Sequence, residues 1–140
     1  MSTIPAVLDL LEQASGIYWA TITDDAGAVL PANALNTLAL TLYVKKADGT
    51  IAYVNSRNAQ NVLNANNVAA YAALQTRADG FTYNLRWEIQ GNVGGDSALI
   101  EALPFERHIA LFEWSWPRPS GGTGLGKHEV VLNVQALDEV

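Results

Sequence analysis

The sequence contains no cysteine, which excludes disulfide bonds, thiol nucleophiles and thiolate metal sites. Charge is also scarce, because only 16% of the 140 residues are charged and their formal sum is −6. Nucleic-acid phosphates need clustered lysine and arginine, and the chain has eight such residues in all. No apolar run is long enough to span a bilayer, and the N-terminus has no basic start followed by an apolar run. We therefore expect a cytoplasmic product with no direct contact to nucleic acid or membrane.

Apolar residues are abundant by contrast, at 49% of the chain, which predicts one globular domain with a substantial core. Many of them alternate with polar residues, as in strands that have one face on a core. Glycine, aspartate and asparagine turns separate the alternating segments, and no long helices lie between them. The sequence thus predicts an all-β, antiparallel sandwich or barrel. The predicted strands are residues 17–23, 37–44, 50–55, 81–90, 107–116 and 127–137.

The clearest pair of strands is residues 107–116 and 127–137. Apart from one histidine in each, their even-numbered positions are apolar, so both strands place that parity on a buried face. The segment between them, P-R-P-S-G-G-T-G-L-G at 117–126, is too rich in proline and glycine for regular structure. We expect it to be a long loop that joins the two strands as a hairpin. Trp116 lies beside this loop, and we expect its side chain to be the exposed one among the tryptophans of these strands.

Residues 3–15 have the spacing of a short amphipathic helix, with a capping residue at the start and a glycine after the end. Val7, Leu10, Leu11 and Ala14 make its apolar stripe. A helix this short is marginal alone, so the stripe must pack on another element. We prefer packing on the chain's own sandwich. The alternative is an arm that docks on a neighbouring subunit.

Residues 58–76 hold many asparagines and alanines, which are compatible with either a helical turn or an irregular excursion. We predict a short helix at 59–63 and leave the rest open. Neither a linker nor an internal repeat divides the remaining chain. The domain organisation that we predict is therefore an N-terminal helical arm, 1–16, and a single β-sandwich domain, 17–140.

The sequence contains no complete motif of a catalytic or cofactor-binding site. Gly121, Gly126 and Lys127 match a phosphate-binding loop, but His128 stands where serine or threonine should hold magnesium, and the loop leads into a strand. His108 and His128 lie on the order of 25 Å apart if the two hairpin strands pair from end to end, so they cannot share one site. We therefore expect no cofactor, no metal site and no catalytic residue.

Glu113 is the one carboxylate in a strand whose outward face is mixed, since Ile109 and Leu111 share that face. We expect a structural ion pair there, with Arg86, Arg107 or Lys127 as the partner, rather than a catalytic acid.

Five segments, taken in order, carry a resemblance: Y-W-A-T-I-T-D-D-A-G at 18–27, L-A-L-T-L-Y at 38–43, N-S-R-N-A-Q-N-V-L-N-A-N-N at 55–67, E-R-H-I-A-L-F-E-W at 106–114 and G-K-H-E-V at 126–130. Together they resemble a group of small virion-associated proteins of tailed bacteriophages, and the likeness covers most of the chain. Such proteins look like immunoglobulin-type sandwiches that join virion parts by protein contacts and have no catalytic residues. The resemblance thus implies an immunoglobulin-like β-sandwich, made in the host bacterial cytoplasm and located in the virion.

A structural role at the capsid surface, the head-to-tail junction (the neck) or the tail follows from this resemblance. The partners would be other virion proteins, of the capsid, the portal or neck, or the tail, and particle symmetry implies a homo-oligomer. We expect contacts from the N-terminal helix, the 58–76 excursion and the 117–126 loop. The candidate contact residues are Val7, Leu10, Leu11, Tyr71, Trp116, Arg118 and Leu125.

Two other functions stay open. A carbohydrate-binding, lectin-like module, in the virion or outside it, would use Trp116 and nearby loop residues for stacking on sugars. An enzyme ranks third, because it would require an unrecognised pair among Glu101, Glu106 and Glu113.

Overall fold

The computed structural model of the chain describes residues 6–31, 34–63, 69–101 and 103–137, with the backbone alone described for 69–73. These residues form strands and no α-helix, so the all-β prediction is confirmed. The strands are β1 (Ala6–Leu11), β2 (Gly16–Ala20), β3 (Thr37–Lys45), β4 (Ile51–Tyr53), β5 (Gln60–Asn61), β6 (Ala69–Thr76), β7 (Thr82–Ile89), β8 (Phe105–Pro117) and β9 (Thr123–Gln135).

The strands build two sheets. The large sheet has the order β1-β9-β8-β3-β4, and β5 also pairs with β3; the small sheet has the order β2-β7-β6. Every pairing is antiparallel except that of β1 with β9, which is parallel. The large sheet is therefore mixed, and it brings a strand near the start of the chain beside a strand near its end.

One core lies between the sheets. Leu40 of β3, Phe112 of β8 and Leu132 of β9 face it from the large sheet, and Leu85 and Trp87 face it from the small sheet; all five are fully buried. The Trp87 and Phe112 rings meet edge to face, with centroids 5.5 Å apart and planes inclined at 76°. Apolar residues alternate with polar ones in the sequences of β3, β7, β8 and β9, and the apolar ones lie between the two sheets.

All six predicted strands are present, but the last hairpin is longer than its sequence suggests. The strands β8 and β9 pair over 13 residues each, from Phe105 with Gln135 to Pro117 with Thr123. Only residues 118–122 are left for the connection. The prediction of a loop over 117–126 was therefore wrong in extent.

Two tryptophans explain how glycines lie inside β9. Gly124 pairs with Trp116 and Gly126 pairs with Trp114. A Cβ atom on Gly124 would be 2.2 Å from the Trp116 ring, and one on Gly126 would be 2.3 Å from the Trp114 ring. Each indole therefore covers the backbone of the glycine opposite, which is the close approach that glycine allows within a strand. Trp116 is only 4% exposed, so the expectation of an exposed Trp116 was wrong.

The predicted N-terminal helix was also wrong, because residues 6–11 form β1. Residues 12–15 form a turn, and residues 3–5 of the predicted helix lie outside the described part of the chain. Ala6, Leu8 and Leu10 are partly buried against the core, while Val7 and Leu11 are exposed. The apolar residues of A-V-L-D-L-L fit the spacing of a helix as well as that of a strand. The segment forms a strand because its backbone pairs with the edge of β9. The strand packs on its own sheet, which corresponds to the preferred alternative of self-packing.

The helix predicted at 59–63 was wrong as well. Gln60 and Asn61 form β5 against β3, and residues 69–76 form β6 against β7. Residues 64–68 lie outside the described part of the chain. Alanine-rich segments have a weak local preference for helix, and the hydrogen-bonding edge of β7 overrides it.

Candidate functional site

The large sheet has an outer face, turned away from the core, and an apolar row crosses five of its six strands there. The register aligns Val7 with Val131, Val131 with Ile109, Ile109 with Tyr43, and Tyr43 with Tyr53. Adjacent strands are about 4.8 Å apart, so the row is about 19 Å long. We call these five residues the apolar row: Val7, Val131, Ile109, Tyr43 and Tyr53.

The ends of the apolar row are open to solvent. Val7 is 59% exposed and Tyr53 is 47% exposed, whereas Val131 is buried between its neighbours. Ile51 is exposed next to the row on β4, and Leu11 and Phe105 are exposed farther along β1 and β8, beyond Asp9 and Arg107. Exposed apolar side chains that are grouped on one face are typical of a surface that binds another protein. The outer face is therefore the strongest candidate for a contact surface in the part of the chain that the structure describes.

Two opposite charges lie on either side of the apolar row. Arg107 on β8 aligns with Asn133, one step along the strands from the row, and Glu129 on β9 aligns with Leu111, one step to the other side. Arg107 is exposed and Glu129 is partly exposed. Among the described residues, neither side chain has an ion-pair or hydrogen-bond partner. Charge is thus available at both margins of the patch, and the margin that holds Arg107 also holds the exposed Asp9 of β1, which aligns with Asn133.

The charges of the small sheet are already paired within the chain. Arg86 binds Glu88 at 2.8 Å on the small sheet, and Arg77 binds Asp79 at 2.6 Å beside it. Glu113 lies 3.5 Å from Lys127, which confirms a structural ion pair with one of the three partners expected from the sequence. The unpaired state of Arg107 and Glu129 therefore distinguishes the outer face from the small sheet.

A separate feature is a cleft where β2 faces the half of the β8–β9 hairpin that is nearer the turn. It has a volume of about 410 Å³, and its lining includes Tyr18, Trp19, Phe81, Trp114 and His128. Aromatic walls of this kind could stack on a ring of a ligand. The indole N–H of Trp114 is not directed at the cleft, because Nε1 is buried over Gly126. The cleft therefore offers apolar contact but few converging hydrogen-bond donors.

Tyr18 and His128 close one wall of this cleft and join the two sheets. The Tyr18 hydroxyl is hydrogen-bonded to His128 Nε2, and the two rings are stacked with centroids 5.7 Å apart. Burial raises the pKa of Tyr18 to about 12 and lowers the pKa of His128, because it disfavours the charged form of each. Both groups are therefore neutral near pH 7, and the contact between them positions β2 against β9.

A buried ion pair fixes the connection between β7 and β8. The Asp96 carboxylate accepts a hydrogen bond from Arg57 Nε at 2.6 Å, from Asn55 Nδ2 at 3.0 Å and from the Gln90 amide at 2.9 Å. Arg57 is 2% exposed and Asp96 is fully buried. Solvent and ligands cannot reach these charges, so their role is structural. No local pattern indicates the pair, because its members are 39 residues apart in the sequence.

The same cluster continues to Glu106 and His108. The His108 ring donates from Nδ1 to the Asp96 carbonyl oxygen at 2.8 Å, and Nε2 lies 2.9 Å from Glu106 Oε1. Glu106 also accepts hydrogen bonds from the Ile100 and Glu101 amides. Glu106, one of the carboxylates considered for an enzyme, is therefore engaged in holding this loop.

The two histidines lie closer to each other than the sequence indicated. His128 lines the cleft, whereas His108 belongs to the buried cluster around Asp96. His108 pairs with Leu132 and His128 pairs with Phe112, so four residues, about 13 Å, separate them along the strands. The expected 25 Å assumed a longer loop, and the short turn shifts the register. Among the described residues, no group of three or more histidine, cysteine, aspartate or glutamate side chains could hold a metal ion.

The remaining candidate contact residues lie on separate parts of the surface. Leu10 faces the core, and Arg118 in the hairpin turn binds Asp25 at 2.8 Å. Leu125 is exposed on β9, close to the same turn. Tyr71 lies in β6 opposite Leu85, and its side chain is outside the described part of the structure.

Of the candidate contact residues, Val7 lies in the apolar row, and Leu11 lies on the same face four residues farther along β1. Sequence reasoning missed Tyr43, Tyr53 and Val131. The available signal was Ile109 and Leu111 on the outward parity of β8, but only the register shows that other apolar residues align with Ile109.

The comparisons with known proteins give no family. No protein-family model, no curated protein and no solved structure matches the chain. In the described segments, no helix has the length and apolar character needed to cross a membrane.

Proposed function

We propose that this chain is a structural protein of a tailed-bacteriophage virion and that it makes protein–protein contacts through the outer face of its large sheet. The resemblance described from the sequence motivates the location in a virion. The apolar row, whose ends are exposed and which has unpaired charges beside it, is the observation that carries the mode of action. A capsid, neck or tail protein is the partner class, and particle symmetry presents many copies, so that modest single contacts suffice through avidity.

The strand order supports an immunoglobulin-like sandwich as the architecture within this proposal. Immunoglobulin domains hold strands B, E and D in one sheet and strands G, F and C in the other, and variable-type domains add C′ beside C. The small sheet, β2-β7-β6, would correspond to B, E and D in that order across the sheet. The strands β9-β8-β3-β4 of the large sheet would correspond to G, F, C and C′. The cysteine pair of antibody domains has no counterpart in this chain.

The test is uptake of the purified chain onto phage particles that lack it, measured by co-sedimentation and by counting copies per particle. The wild-type chain is expected to bind stoichiometrically. Val7→Asp and Tyr53→Asp each place a carboxylate in the apolar contact, and we expect at least about tenfold weaker uptake, equivalent to about 1.4 kcal/mol.

The matched control is Val93→Asp, which makes the same change at a loop residue that is 81% exposed and off the outer face. Its uptake is expected to equal that of the wild type. Equal uptake of Val7→Asp, Tyr53→Asp and the control would refute the outer face as the contact surface, and no uptake of the wild type would refute the structural role.

A carbohydrate-binding module is the second candidate, because the cleft beside Trp19 and Trp114 has aromatic walls. The stacking residues would then be these two rather than the buried Trp116. Glycan binding would quench or shift tryptophan fluorescence in the isolated chain, and Trp19→Ala would remove the change. Fluorescence that does not respond across a panel of glycans would discard this candidate.

A further inference from the structure

His108 is wholly buried, and both nitrogens of its ring face a hydrogen-bond acceptor. Nδ1 lies 2.8 Å from the carbonyl oxygen of Asp96, and Nε2 lies 2.9 Å from Oε1 of Glu106. The side chains of His108 and Glu106 are both 0% exposed, so solvent does not share either contact. The two acceptors belong to different elements, because Asp96 lies in the connection between β7 and β8 and Glu106 lies on β8 itself.

Two acceptors require two donors from one ring. Neither a carbonyl oxygen nor a carboxylate oxygen has a proton to donate, so each contact needs an N–H group of the imidazole. A neutral imidazole has only one N–H. With the Nδ1 proton directed at Asp96, a neutral ring would turn the lone pair of Nε2 towards the Glu106 carboxylate at 2.9 Å. Two buried acceptors facing each other without a proton are costly.

Backbone amides place the additional proton on the ring rather than on the carboxylate. The amides of Ile100 and Glu101 donate to the Glu106 carboxylate at 2.9 Å and 2.6 Å. Donors of this kind bind most strongly to an ionised carboxylate. We propose that the folded chain holds a buried proton between His108 and Glu106, as an imidazolium–carboxylate pair, and that this proton fastens the segment 96–101 to β8. This inference is independent of the proposed function.

The charged groups that face the ring are balanced by this proton. The Asp96 carboxylate is paired with Arg57, so these two charges sum to zero. An imidazolium and the Glu106 carboxylate also sum to zero, whereas a neutral ring would leave one buried negative charge without a counter-charge. The residues nearest in register to His108 on β3 and β9 are apolar and cannot supply that charge: Leu42, Val44 and Leu132.

The segment 96–101 joins this pair to another part of the fold. The Gln13 amide donates to the Ser97 carbonyl oxygen at 3.1 Å, and the Ser97 hydroxyl donates to the Ala14 carbonyl oxygen at 2.6 Å. The turn between β1 and β2 is thus attached to the same segment that the buried pair holds. Loss of the proton would weaken both attachments, so the arrangement is a pH-sensitive device within the fold.

The first test reads the charge of the ring directly, by ¹⁵N NMR of both histidines in the folded full chain. At about pH 7.5 a free imidazole is about nine-tenths neutral. We expect His108 to give the signals of an imidazolium at that pH. His128 is the internal control and is expected to be neutral, because burial lowers its pKa. A neutral His108 ring would overturn the proposal.

The second test counts the proton through the stability of the chain. Above about pH 6.5 the histidine of the unfolded chain is neutral, while the folded chain keeps the proton, so unfolding releases it. Between about pH 7 and pH 9 the folding equilibrium constant is therefore expected to fall by a further factor of about ten per pH unit, relative to a variant without this proton. His128 does not contribute in that range, because it is neutral in both states.

Glu106→Gln is the variant without the additional proton. Its carboxamide N–H can donate to Nε2 of a neutral ring, while its oxygen accepts from the two amides. Urea unfolding of this variant is expected to lack the tenfold decrease per pH unit. Glu101→Gln makes the same change at a side chain outside these hydrogen bonds, and we expect it to keep the wild-type dependence. The same pH dependence in Glu106→Gln and the wild type would overturn the proposal.

Discussion

Asp96→Ala is expected to destabilise the fold strongly by leaving a buried guanidinium without its counter-charge. Asp96 is fully buried, Arg57 is 2% exposed, and the carboxylate accepts hydrogen bonds from three residues. Removing one partner of such a pair costs about 3–5 kcal/mol. That is a large share of the roughly 5–15 kcal/mol by which domains are stable.

The assay is urea unfolding followed by the fluorescence of the four tryptophans, which reports the change in the free energy of unfolding. Glu88→Ala is the matched control, because it breaks the exposed Arg86–Glu88 pair and is expected to cost at most about 1 kcal/mol. The double variant Arg57→Met/Asp96→Leu replaces both charges by apolar groups and is expected to lose less stability than Asp96→Ala. A loss for Asp96→Ala no larger than that for Glu88→Ala would refute the reasoning.

Two further predictions concern the hairpin and the cleft. Gly124→Ala places a methyl group 2.2 Å from the buried Trp116 ring and is expected to lower the free energy of unfolding by about 1–3 kcal/mol, whereas Ser120→Ala in the turn should cost little; equal melting temperatures would contradict this. Because the pKa of His128 is below its usual 6.5 in the folded state, its contribution to stability is present above pH 6.5 and is lost as the pH falls through the folded pKa. The pKa of Tyr18 is raised from 10.0 to about 12, so its contribution is present below pH 10 and is lost as the pH rises towards 12. Urea unfolding of the wild type, His128→Gln and Tyr18→Phe over a range of pH measures both effects. If the free energy of unfolding depends on pH in the variants as it does in the wild type, both predictions are refuted.

Local patterns were sufficient where neighbours in sequence are also neighbours in the sheet. The pairs β3–β4 and β8–β9 are hairpins, and their alternation predicted both the strands and the buried face. For β1 the same reasoning failed, because its hydrogen-bonding partner in β9 is 124 residues away and has no local sign. In β6, four alanines left the conformation open from the sequence, and pairing with β7 makes it a strand.

The candidate contact surface was less predictable than the fold. Val7, Ile109 and Tyr53 come from three distant parts of the chain, and only the register of four strand pairs brings them into one row. The ion pair of Arg57 with Asp96 poses the same difficulty. A sequence shows that a charge exists, but its burial depends on packing that no local pattern encodes.

The parallel pairing of β1 with β9 has a mechanical consequence. A force that pulls outward on Ala6 and Gln135 acts at opposite ends of a six-residue ladder, with Ala6 beside Val130 and Leu11 beside Gln135. The hydrogen bonds between the two strands are then loaded together in shear, instead of one after another as when a hairpin is unzipped. The chain therefore resists tension through its terminal strands before the hairpins of its core bear any load.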